Sequence, residues 1–260
     1  MSLPKRLNVR DVRKIIKRLE EYIDDSKFIP ALRSYRGIII LALISKALTV
    51  ARAICLLVEA DFPGEAFGMS RTLIDIYFTI RYISNNETEA RAKKFAEFFA
   101  KDHAGWTNVI QKFFPARAIP NTEFHENSLR IAKEYKNAHQ WTGLGDQTKQ
   151  MALEDDSYEF SESGKPINCE FDYEAIYKWT SFFVHATVSS LESHLVEAGE
   201  TFRVRARIEL EHGCGERSLF NVLAYLSKSF VCAFRGMRQE QPEEILTDMR
   251  GLMESLAKSK

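Results

Sequence analysis

The chain has 260 residues, 36 Lys and Arg against 36 Asp and Glu, and 45% hydrophobic residues, the profile of an ordinary globular protein. A chain of this size buries enough surface to be stable without disulfides or a metal, and a net charge of zero argues against a surface built as a whole to hold nucleic acid or an anionic membrane. Cys55, Cys169, Cys214 and Cys232 are scattered with no C-x-x-C spacing, which excludes a disulfide framework and a zinc knuckle.

Helical periodicity dominates from the start. Residues 8–25 carry Val12, Ile15, Ile16, Leu19 and Ile23 at steps of three and four, the pattern of an amphipathic helix. Pro30 is expected to open a long second helix reaching residue 60, apolar around enough of its circumference to be buried on several sides. Lys46 and Arg52 interrupt its greasiest stretch, and a membrane span needs about 20 apolar residues. With a basic N-terminus that leads into a charged helix, the expectation is a cytoplasmic protein with no membrane contact. Asp61-Phe62-Pro63-Gly64 is a turn, with Pro63 suited to the first turn of a third helix over 63–84. Asn86, with Glu89 three residues on, reads as the capped start of a fourth. That helix ends near Phe114-Pro115 and lines up Phe95, Phe99, Trp106, Val109, Ile110 and Phe113 on one face.

A fifth helix is expected over 122–138, and an irregular loop over 139–170, where Gly143, Gly145, Gly164 and Pro166 break the pattern. Asp172 is expected to cap a sixth helix to residue 198. Phe202, Val204, Ala206, Ile208 and Leu210 then alternate with charged residues, the period of a half-buried strand. Its Arg203/Arg205/Arg207 row is more simply a charge-protected edge than a phosphate contact. Two helices follow, over 216–238 and from Pro242 to residue 257. The fold expected is all-α (mostly α): a single multi-helix bundle of about eight helices, with one short β strand or hairpin near 201–211. One domain is expected to span 1–260, with an N-terminal helix in 1–28, core helices in 29–200, and the strand and last helices in 201–260.

In such a core the informative residues are polar ones on apolar faces. The third helix carries Gly64, Gly68, Arg71, Asp75 and Tyr82 along one side; Arg71 and Asp75, four apart, can pair. A pair inside an apolar helix needs further partners to offset its desolvation, and a structural ion pair that fixes register satisfies the same pattern. The sixth helix carries Tyr177, Ser181 and His185 at steps of four. His185 titrates near neutrality, yet no G-x-S-x-G or oxyanion loop accompanies it, and a hydrogen-bonded core histidine is the simpler account. Asp102 and His103 fall in or beside the aromatic stripe of the fourth helix. No metal site is expected: a di-iron carboxylate bundle needs a repeated Glu-x-x-His on helices, and the one such spacing, Glu209/His212, lies in the strand region. No cofactor is expected, since no Gly-x-Gly-x-x-Gly or Walker loop is present.

These residues occur in an order that resembles a known family. The signature runs through Leu57-Val58-Glu59-Ala60-Asp61-Phe62-Pro63-Gly64-Glu65-Ala66, then Arg71-Thr72-Leu73-Ile74-Asp75 and Arg81-Tyr82, Lys101-Asp102-His103, and Tyr177 to His185. It is similar to a bacterial helical family catalogued only as a domain of unknown function, the one numbered 5677 or a close relative, over residues 41–194. The family pattern commonly has Glu where this chain has Asp75. The resemblance implies an all-α fold and a bacterial source, and no activity. Its Arg, acidic and His signature is similar to helical domains of toxin and phage-defence systems, an analogy between folds.

The residues favour a domain that binds a small ligand or a protein partner and is not an enzyme, with Arg71, Asp75, Asp102, Tyr177 and Ser181 forming a polar pocket beside His185, and Trp141 closing it from above. One alternative is a metal-independent ribonuclease, with His185 or His103 as general acid/base and Arg71 stabilising the phosphorane. Nucleic acid is not the favoured partner, because RNA binding usually leaves a basic footprint. The other alternative is a structural or oligomerisation protein, a homodimer included, with no site at these residues.

Overall fold

The computed structural model describes residues 7–24, 33–86, 88–115, 122–135, 140–142, 146–154, 169–184, 195–198, 201–204 and 214–257. Helix α1 (Val9–Ile23) starts at Asn8, whose side chain accepts from the Asp11 N–H at 3.0 Å, and its stripe of Val12, Ile15, Ile16 and Leu19 is buried. Helix α2 (Tyr35–Glu59) begins with Ser34 as N-cap, not at Pro30, which lies outside the described residues. It packs against α1, against α3 (Pro63–Asn85), against α4 (Thr88–Phe113) and against the long helix α8 (Cys214–Met237). By length and composition α2 could cross a membrane; Ile40, Ile44, Ala47, Leu48, Ala51 and Ile54 are instead buried in the protein.

Glu89 does not close a capping box on its own helix. Its carboxylate accepts from the backbone N–H groups of Tyr35 at 2.9 Å and Arg36 at 3.1 Å, so it caps the first turn of α2 from a different helix. Both partners gain: α2 has two orphan donors satisfied, and the anion sits at a positive helix end.

Helix α3 is the axis of the molecule. It meets α2, α4, α8, the short helix α6 (Gln147–Leu153), the π-helical segment Asp172–Tyr177 and its continuation α7 (Lys178–Val184). A helix enclosed from so many sides has to be apolar around most of its circumference, and Leu73, Ile74, Tyr77, Phe78, Ile80 and Ile83 are all buried. Gly68 sets the approach of α7: a Cβ built there would meet the Phe183 Cβ at 3.2 Å and its backbone at 3.3 Å. Helix α5 (Thr122–Glu134) pairs with α4, and α9 (Glu243–Ala257) closes over α1 and α8.

The stretch 139–170 is not irregular throughout. Asp146 accepts from the Lys149 N–H at 3.1 Å and caps α6, a turn too short to show a hydrophobic period. The sixth predicted helix does not run to residue 198, because Leu195–Ala198 is extended. Asp172 is not a cap either: Phe171 holds that position and Asp172 is buried within the π turn. The β element is not borne out as expected. A four-residue antiparallel ladder pairs β1 (Leu195–Ala198), upstream of the expected 201–211 span, with β2 (Thr201–Val204), which covers only its first four residues, and residues 205–213 lie outside those described. Alternation of apolar and charged residues specifies a face, and the turn specifies where pairing starts.

Candidate functional site

The polar cluster forms where α3, α6 and the π segment meet. Arg71 and Asp75, one turn apart on α3, face each other with Nε and Oδ2 4.0 Å apart. The Tyr177 hydroxyl sits between them. It accepts from Arg71 Nη2 at 3.0 Å and is hydrogen-bonded to the Asp75 carboxyl. From α6, the Thr148 hydroxyl lies 3.5 Å from Asp75 Oδ1. The site remains open, with 25% of the Arg71 side chain and 40% of that of Asp75 exposed.

The π turn sets the aromatic packing behind the cluster. Its wider coil brings residues four apart nearer to one line than an α-helix does, and the Tyr173 and Tyr177 rings stack at 5.4 Å and 16°. Tyr173 donates to Asp146 Oδ2 at 3.2 Å, which ties the π segment to the cap of α6. The Arg71 guanidinium lies 5.0 Å from the centre of the Tyr177 ring.

These contacts set the protonation of the site. Burial pushes the Asp75 carboxyl up to about 6, against the lowering effects of the Arg71 charge and the Tyr177 and Thr148 hydrogen bonds. Burial, then the Asp75 charge, also raises the Tyr177 phenol, so Tyr177 stays protonated while Asp75 changes state near neutrality.

A second polar network lies behind the first and anchors it. Asp172 accepts from the Tyr225 hydroxyl at 2.9 Å and from Lys228 Nζ at 2.7 Å, both on α8. The Tyr77 hydroxyl is 3.1 Å from Cys169 Sγ, and burial pushes that thiol up to about 11, away from reactivity. Arg81 reaches into the same region, donating to the backbone carbonyls of Ala152 at 3.1 Å and Glu154 at 2.9 Å. It thereby caps the C-terminal turn of α6 and fixes the element that carries Thr148.

The predicted site residues therefore divide. Arg71, Asp75 and Tyr177 meet. Ser181 is one turn along, but its hydroxyl donates to the Tyr177 carbonyl at 2.7 Å, within its own helix. Trp141 does not close the pocket: it is buried edge-on against Tyr82 at 5.5 Å and Phe95 at 5.1 Å, between α3 and α4. Asp102 is exposed on α4. His103 is half-buried, with its ring among Phe99, Trp106 and His125 on α4 and α5. His185 lies outside the described residues, as do Glu209 and His212. Among the described residues no group of three His, Cys, Asp or Glu could hold a metal ion.

Thr148, Tyr173 and Asp146 were not found from the sequence. Tyr173 extends the Tyr177/Ser181/His185 stripe backward by one more step of four, which was a usable signal. Thr148 and Asp146 had only a capping residue before a short helix to announce them.

A family model described as a family of unknown function, DUF5677, matches residues 37–202. No curated protein and no solved structure matches the chain.

Proposed function

The chain belongs to the DUF5677 family, of unknown function, and we propose that it binds a small polar ligand at the partly exposed polar cluster where α3, α6 and the π segment meet. The observation that carries this reading is the geometry of the Arg71–Asp75 pair: at 4.0 Å it is a stretched contact with the Tyr177 hydroxyl interposed, and both side chains reach solvent. Side chains of a pair held this loosely at the surface stay within reach of a ligand arriving from solvent. A guanidinium fork recognises carboxylate or phosphate oxygens. Beside it, a carboxyl with a pKa of about 6 accepts from a ligand donor when ionised and donates when protonated. The buried Tyr173–Tyr177 stack backs the cluster from the core side. The ligand class that fits is a small molecule with one anionic oxygen group and a neighbouring N–H or O–H. Four buried free thiols suit a reducing compartment, and we take the cytoplasm as the place of action.

The test is a thermal-shift screen of the full chain against small mono- and dicarboxylic acids, inorganic phosphate and nucleoside monophosphates. A hit should raise Tm in wild type and fail to do so in Arg71→Ala and Asp75→Ala, both still folded by circular dichroism. If both variants unfold, or if hits survive in them unchanged, the cluster is not the binding site. Among the described residues the ribonuclease reading has no observation in its favour: His103 sits among α4 and α5 side chains, and His185 lies outside them.

A further inference from the structure

The aromatic stripe of α4 is covered along only part of its length. Phe95 packs against Trp141, but Phe99 (65% exposed), Trp106 (63%), Val109 (53%) and Phe113 (67%) stand open to solvent on the same line. Their spacing of 99, 106, 109 and 113, with Asp102 in the remaining place, is the alternation of three and four that forms a helix-pairing seam. Ala92, Ala100, Ala104 and Thr107 form the buried face of α4, so α4 uses that side to hold the fold and leaves the aromatic side unused. Monomeric proteins rarely expose a contiguous apolar patch beyond a few hundred Å².

We propose that a second copy of this chain covers this face, with α4 packing antiparallel on its equivalent across a twofold axis at Trp106. Self-complementarity favours this occupant. Trp106 lies midway between Phe99 and Phe113, seven residues from each, so a twofold axis there brings each Trp106 onto the partner's Trp106 and each Phe99 onto the partner's Phe113. A twofold axis perpendicular to the helix preserves the lateral edge of the seam while reversing height. Asp102 therefore shares an edge with the partner's Lys112: 102 lies four residues before the axis and 112 six after it, a height difference of about 3 Å at 1.5 Å per residue. Both are exposed and of opposite charge.

The area is sufficient as well. Aromatic side chains bury about 150–250 Å² each, so Phe99, Trp106, Phe113 and the adjacent Phe114, exposed to between 57% and 67%, offer with Val109 roughly 500 Å² per copy. That is about 1,000 Å² for the pair from these side chains alone, the level at which specific interfaces begin.

Sedimentation velocity and light scattering on the full chain, from about 1 to 100 µM, test the proposal. Wild type should be a dimer at the upper end, and Trp106→Glu a monomer with unchanged circular dichroism and Tm. Asp102→Lys should weaken the dimer at least tenfold, and Asp102→Lys combined with Lys112→Asp should restore it. A monomeric wild type overturns the proposal, and so does a dimer that Trp106→Glu leaves intact. If the charge exchange fails to restore association, the antiparallel register is overturned. None of these readouts depends on the polar cluster between α3 and α6.

Discussion

Arg81 crosses from α3 to the last turn of α6, where its guanidinium donates to the Ala152 carbonyl at 3.1 Å. With 1% of its surface exposed, it is among the largest fully buried side chains, and it is also the link between the core and the candidate site. The C-terminal carbonyls of a helix carry partial negative charge and lack intrahelical donors. A buried cation with a planar donor fork satisfies several of them at once.

Arg81→Met should therefore cost about 3 kcal/mol or more, since each buried carbonyl left without a donor costs about 1–3 kcal/mol. Arg81→Lys should recover little, because one ammonium does not span carbonyls from Ala152 and Glu154. Urea denaturation of the three proteins measures this. A loss below about 1 kcal/mol in Arg81→Met would mean that α6 does not depend on the contact.

Tyr177→Phe removes the hydroxyl placed between Arg71 and Asp75. Stability should fall by about 1 kcal/mol, and the Asp75 carboxyl, having lost a hydrogen bond that favours its ionised form, should titrate above its wild-type value of about 6. An NMR titration of the Asp carboxyl carbons reads the shift directly; an unchanged or lowered Asp75 pKa would contradict the geometry.

The pH dependence of stability has a definite sign at Asp75. Its folded pKa, about 6, lies above an unfolded value near 3.9, so the folded state holds the proton more tightly. The resulting stabilisation is complete below about pH 4 and is lost as pH rises through 6. Asp75→Asn does not titrate, and relative to wild type it should gain between pH 4 and pH 7. Because 40% of the Asp75 side chain is exposed, the gain should be on the order of 1 kcal/mol after solvent screening. Denaturant midpoints at pH 4, 5, 6 and 7 give the curve, and a gap that narrows with rising pH would refute it.

Two glycine substitutions form a matched pair. Gly68→Ala puts a methyl group against Phe183, with contacts at 3.2–3.3 Å, and should cost about 1–2 kcal/mol as α7 shifts. Gly105→Ala on α4 meets nothing within 4 Å and should stabilise by about 0.5–1 kcal/mol through helix propensity. Thermal melts compare them, and equal effects would show that α7 does not depend on the close approach at Gly68.

The local features of the fold could be read directly from the chain. The stripe of α1, the aromatic line on α4 and the i,i+4 placement of Arg71 and Asp75 all follow from one periodicity, because helical neighbours are three or four residues apart, and Pro63 with Gly64 marks the turn before α3. The features that were missed join distant segments. Glu89 caps a helix 54 residues before it, Arg81 caps one 71 residues after it, and Asp172 finds Tyr225 53 residues on. A capping or charged residue advertises its chemistry but not its partner.

The sequence by itself determined a neutral, mostly helical protein and the two helical faces that matter, because hydrophobic period and side-chain chemistry are local properties. The tertiary structure alone decided that Tyr177, and not Trp141 or His103, completes the Arg71–Asp75 pair, and that the α4 stripe is covered at Phe95 and open at Trp106. Burial and pairing depend on which segments meet, and that is set by packing across the whole chain.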